Sequence, residues 1–136
     1  MEDEALNIAI ISDQPVRAES LSKTIENGLS NGTEIRVLTT DLIHSTGAMS
    51  SVHLILVDLM GISKSSRQII LPLKEKYSGI KIIAMHLYRS SLLVNPLFAM
   101  GIDGYIYYEP SRGELMNAIR TVTAGKKYIP NDLLSA

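Results

Sequence analysis

Leu54-Ile55-Leu56-Val57-Asp58 sets four consecutive apolar residues against one aspartate. A short bounded run of this kind suits a strand covered on both faces, as in a parallel sheet. The carboxylate at its end needs partners, because burying a charge unpaired costs several kcal/mol. The pattern has an earlier counterpart in Asn7-Ile8-Ala9-Ile10-Ile11-Ser12-Asp13. Two strand-end acids, Asp13 and Asp58, can make a small anionic site.

Outward from that stretch, apolar runs alternate with amphipathic ones five times. Strands are expected at 7–12, 34–40, 54–58, 80–86 and 104–108, each rich in Ile, Val, Leu or Tyr. Ala18, Leu21, Ile25 and Leu29 recur at helical spacing after the first strand, with Asp13 as N-cap and Pro15 in the first turn. A short helix is expected at 41–50. A third follows Asp58, with Ser66, Ile70, Leu73 and Tyr77 on one face, and Pro72 inside it should kink it. Asn95-Pro96 is a cap and first-turn pair, so the fourth helix should start late and be short. The last, 111–124, buries Leu115, Ile119 and Val122 and ends at Gly125.

This alternation means parallel strands joined by right-handed crossovers, with the ligand crevice at the strands' carboxyl ends. If the strand order is 2-1-3-4-5, strands one and three are neighbours and Asp13 faces Asp58. An Asp13 that only caps a helix is the competing reading, and both roles can hold together.

Composition narrows the function. The 136 residues suit one domain, expected over 6–130, with 131–136 as the start of a linker or tail. A formal charge of −1 supplies no basic field for nucleic acid. There is no cysteine, and His44, His53 and His86 lack metal-ligand spacing. No apolar stretch approaches a membrane span, and Glu2, Asp3 and Glu4 form an acidic, solvated start unlike a secretory signal. A cytoplasmic location is expected.

Several motifs carry a resemblance. Val57-Asp58-Leu59-Met60, Gly101-Ile102-Asp103-Gly104-Tyr105-Ile106, Glu114-Leu115-Met116-Asn117-Ala118-Ile119-Arg120, and then Ala124-Gly125 and Tyr128 occur in one order almost without gaps. Over about residues 6–130 the chain resembles the receiver domain of bacterial two-component response regulators, particularly the NarL/FixJ (LuxR-type) group. The resemblance implies an α/β, flavodoxin-like (CheY-like) fold. Its sheet is doubly wound, five-stranded and parallel in the order 2-1-3-4-5, with helices on both faces. It also implies Asp58 as the phospho-acceptor for a histidine kinase, with Mg²⁺ held by Asp13, Asp58 and the carbonyl of Met60.

Against that pattern the chain shows departures. One acid of the usual pair is lost at Ser12. The switch hydroxyl is replaced by His86 and the phosphoryl-binding lysine by Tyr108, while Tyr105 matches the aromatic switch position. A fixed ammonium is part of the electrostatics that phosphoryl transfer depends on, and a tyrosine offers one neutral hydrogen bond instead. His86 either contacts a phosphoryl group or fills the hydroxyl's space. Tyr108 reads more naturally as a packed aromatic than as a functional phenol. Tyr105 and Tyr107 are either an exposed pair suited to an interface or half-buried beneath the last helix.

The expectation is therefore an atypical receiver with weakened or absent Mg²⁺ chemistry. It would regulate an output domain, DNA-binding in that group but absent from this chain, by conformation or by homodimerisation through the fourth helix, fifth strand and fifth helix. A conventional Mg²⁺-dependent phospho-acceptor and a phosphorylation-independent interaction module are the alternatives. No enzyme is expected: Ser12-Asp13-Gln14-Pro15 is not a flavin phosphate loop, and Met60 stands where an aspartyl phosphatase needs its second acid.

Overall fold

In a computed structural model, which describes residues 6–29, 33–45, 47–131 and 133, five strands alternate with four helices. The strands are β1 (Asn7–Ile11), β2 (Glu34–Leu38), β3 (Leu54–Asp58), β4 (Lys81–His86) and β5 (Gly104–Tyr107). The helices are α1 (Pro15–Gly28), α2 (Ser66–Lys76), α3 (Ser91–Met100) and α4 (Arg112–Thr123), and a single 3₁₀ turn spans Leu59–Gly61. All strand pairs are parallel, in the order β2-β1-β3-β4-β5. Fold and strand order are those expected. The acidic start and residues 132 and 134–136 of the tail lie outside the described residues.

Strand alternation builds two hydrophobic layers. Ala9, Ile11, Ile55 and Val57 pack with Ile69, Ile70 and Leu73 of α2 and Val94 and Leu97 of α3. Ile8, Ile10, Leu54 and Leu56 pack with Leu21 and Ile25 of α1 and Leu115, Ile119 and Val122 of α4. Each of the Val, Leu and Ile side chains contributes about 1.5–3 kcal/mol by leaving water, so this central apolar stretch anchors both layers. After α4 the chain returns along β5, where Tyr128 bridges Gly104 and its N–H donates to the Asp103 carbonyl.

Four local expectations are corrected. No helix forms among the described residues of 41–50, which make successive three-residue turns instead: Leu42 N–H to Thr39, Ser45 to Leu42, Ala48 to Ser45 and Ser50 to Gly47. Gly47 at φ +80° and Ser51 at φ +63° break any helical run there. The fourth expected helix, α3, starts early rather than at Asn95. Ser90 caps it, its Oγ accepting from the Leu92 N–H, and Pro96 sits inside. The N-cap of α1 is Gln14, not Asp13, with Pro15 in the first turn as expected. Finally, Tyr105 is neither exposed nor beneath the last helix: it is wholly buried in the α2/α3 layer, and its hydroxyl donates to the Tyr88 carbonyl at 2.7 Å.

Candidate functional site at the carboxyl ends of the strands

The parity of β3 decides where Asp58 points. Leu54 and Leu56 face α1 and α4, Ile55 and Val57 face α2 and α3, and Asp58 therefore returns to the α1 side. Its residue is 0% exposed. Across the register that pairs Ile11 with Val57, the next residue of the first strand's chain is Ser12. Its hydroxyl donates to Asp58 Oδ2 at 3.0 Å, and its oxygen accepts from the Gln14 N–H.

Asp13 comes one residue later and does not meet Asp58 through a hydrogen bond. Its Oδ1 accepts from the Thr40 N–H at 2.8 Å and its Oδ2 from the Thr40 hydroxyl at 2.9 Å. The carboxylate thus ties the end of β1 to the end of β2, and its own N–H donates to the Gly61 carbonyl. The two carboxylates are each satisfied by donors of their own.

Asp58 is met instead by Arg17, in the first turn of α1. Nε donates to Oδ2 at 2.8 Å and Nη2 to Oδ1 at 3.1 Å, a two-pronged, charge-assisted contact. The remaining arm, Nη1, donates to Glu109 Oε2 at 3.0 Å, just beyond β5. The bond to Asp58 raises the Arg17 pKa further above its usual value, against the opposing pull of burial. Gly61 closes the other side. A Cβ there would lie 2.6 Å from Asp58 Oδ2 and 2.8 Å from Ser12 Oγ.

The two positions where the resemblance expects switch residues, His86 and Tyr108, make other contacts. His86 is half-buried, stacks on Tyr88 with centroids 4.2 Å apart, and accepts the Leu87 N–H on Nδ1. Burial lowers its pKa, and the Asp58 charge opposes that shift. Tyr108 adopts φ +59°, in the left-handed region, and is 51% exposed rather than packed. That turn is followed directly by Glu109, which reaches Arg17. Tyr107 is half-buried on the α2/α3 layer, with the Arg89 guanidinium 5.2 Å from its ring.

The donor set does not suit Mg²⁺, which takes oxygen ligands in near-octahedral geometry. Both oxygens of each acid are engaged by protein donors, and Ser12 stands where the resemblance expects a second acid. Among the described residues no group of three or more His, Asp or Glu could hold a metal ion. A divalent ion brought to Asp58 would also stand beside a guanidinium. At an effective dielectric of about 20, such charges a few ångströms apart repel by several kcal/mol.

Arg17 and Glu109 are the site residues that sequence reasoning missed. One signal was present: an arginine in the first turn opposes the helix dipole, so its placement asks for a nearby anion.

No protein-family model and no curated protein matches the chain. Solved structures do. The isolated REC domain of RcsB from Salmonella enterica serovar Typhimurium, in the presence of the phosphomimetic BeF3−, is 18% identical with a TM-score of 0.78, covering 96% of each chain. A LuxR-family two-component response regulator from Aurantimonas sp. SI85-9A1 is 17% identical with a TM-score of 0.82, covering 96% of this chain and 93% of that one. RcsB from the same Salmonella, bound to promoter P1flhDC, is 18% identical with a TM-score of 0.79; the match covers 96% of this chain but 65% of that one. At these identities the likeness is one of architecture, and the architecture is that of a response-regulator receiver domain.

Proposed function

We propose that this chain is a receiver-type signalling module with a degenerate phosphorylation site, which controls an output domain by conformation or dimerisation and not by phosphotransfer. One observation carries the reading. Where the resemblance puts a lysine at the end of β5, Tyr108 sits in a left-handed turn, half-exposed. The end of β5 therefore lacks the ammonium that would stabilise a developing phosphoryl charge. Asp58 keeps the acceptor's position without its chemistry, and the protein is a binding module, not an enzyme. No helix among the described residues is long and apolar enough to cross a membrane, which fits a cytoplasmic regulator.

The partner favoured is a second copy, meeting through α3, β5 and α4. Leu87, Leu92, Leu93 and Tyr108 are exposed on or beside those elements, supplying apolar area for an interface. Incubation with Mg²⁺ and a small phosphodonor, followed by intact mass measurement, tests the reading. No added phosphoryl mass is expected. A gain that disappears in Asp58→Ala would identify a conventional phospho-acceptor instead.

A further inference from the structure

We propose that Arg17 is the resident cation of this site, standing against Asp58 in place of a divalent metal and closing the carboxylate to ions from solution. The proposal rests on the receiver reading and deepens it. Three features support it. The guanidinium engages both oxygens of a wholly buried Asp58 at 2.8 and 3.1 Å. Ser12, where the resemblance expects a second acid, leaves one negative charge fewer, so a single positive charge neutralises the acceptor. Gly61 packs against the remaining approach, where even a methyl group would collide with Asp58 and Ser12.

A covalently tethered cation differs from a metal in two ways. It cannot dissociate, so the Asp58 charge is balanced at any metal concentration. It also brings its helix with it: Arg17 links α1 to β3 through Asp58, and to the segment after β5 through Glu109 at 3.0 Å. An arginine suits that double role because its planar fork serves two carboxylates at once. The carboxyl end of the sheet is here held by an internal ion-pair chain.

The test uses the whole chain with Mn²⁺ as probe, read as loss of the free-ion EPR signal, and Mg²⁺, read as a shift in melting temperature. Wild type and Ser12→Asp are both expected to leave the Mn²⁺ signal unchanged at millimolar concentration and to melt at the same temperature with or without Mg²⁺. Ser12→Asp combined with Arg17→Gln is expected to bind Mn²⁺ at least about tenfold more tightly, with melting raised by Mg²⁺. Binding by wild type that Asp58→Asn removes would overturn the proposal, as would equal binding with and without Arg17, or none in a folded double variant. The wild-type arm decides even if that variant does not fold. A metal-binding wild type that takes up no phosphoryl group sinks the role of Arg17 alone. A phosphorylated wild type sinks the degenerate-site reading instead.

Discussion

The Arg17 guanidinium meets the Asp58 carboxylate along its edge, Nε to Oδ2 at 2.8 Å and Nη2 to Oδ1 at 3.1 Å, with the acid fully buried. Neither partner is placed for its own sake. A cation in the first turn of α1 works against the helix dipole, and a carboxylate beneath two helices works against desolvation. Each is tolerable only because of the other. A pair of this kind stabilises the fold little relative to apolar residues of the same shape, yet breaking it is costly.

Removing Arg17 therefore has a large effect. Arg17→Ala strands a buried carboxylate and should destabilise the protein by about 3 kcal/mol, at the low end of such losses because the vacated path admits water. Arg17→Lys keeps the charge but loses the fork, and should cost less. Adding Asp58→Asn to Arg17→Ala removes the stranded charge and should restore part of the stability. Urea denaturation followed by circular dichroism measures wild type, these three variants and Asp58→Asn alone. Simple additivity of the two single effects would show that the residues do not interact.

Gly61 makes a separate prediction about how tightly the acid is enclosed. Its absent side chain leaves room for Asp58 Oδ2 and Ser12 Oγ, both polar atoms already fixed by hydrogen bonds. Gly61→Ala should cost about 1–3 kcal/mol, since either the acid or the 3₁₀ turn must shift. Gly79→Ala is the control, because nothing lies within 4 Å of a Cβ there. Equal melting temperatures for the two variants would refute the enclosure.

Tyr108 holds backbone strain that its ring does little to repay. A left-handed conformation costs a non-glycine residue about 1–2 kcal/mol, and asparagine tolerates it better. The ring is half in solvent, with Tyr107 beside it at 6.2 Å. Tyr108→Asn should leave stability unchanged or raise it by up to about 1 kcal/mol. If that face joins two copies, the same substitution weakens self-association in sedimentation velocity. Unaltered association would remove Tyr108 from the interface.

The fold was legible wherever period and burial act locally. The run ending at Asp58 is apolar on both faces because α1 and α4 cover one side and α2 and α3 the other. Capping was less legible. Asp13 and Ser90 are both standard cap types, yet Asp13 spends its carboxylate on Thr40, 27 residues away, while Ser90 opens a helix that Pro96 had seemed to delay. The site was legible only in part, because its central contact joins residues 41 apart and depends on which face Asp58 takes. Substituted positions such as Ser12 and Tyr108 showed what was missing. They did not reveal that Arg17 had filled the place.

His86 supplies the pH dependence. Burial lowers its pKa from the usual 6.5, the Asp58 charge opposing, so the folded protein holds this proton less tightly than the unfolded chain. Between the folded value and 6.5 the unfolded state binds more protons, and stability rises with pH. The contribution is complete above 6.5 and is lost as pH falls toward the folded value. Geometry agrees, because Nδ1 accepts the Leu87 N–H and the ring lies against Tyr88. Protonation at Nδ1 would break that bond. Melting temperatures measured from pH 5 to 8 should decline on the acid side in wild type and less steeply in His86→Asn. His44 and His53 are shared by both proteins, so the difference between the curves isolates His86. Parallel curves would mean that the imidazole titrates alike in the folded and unfolded chains.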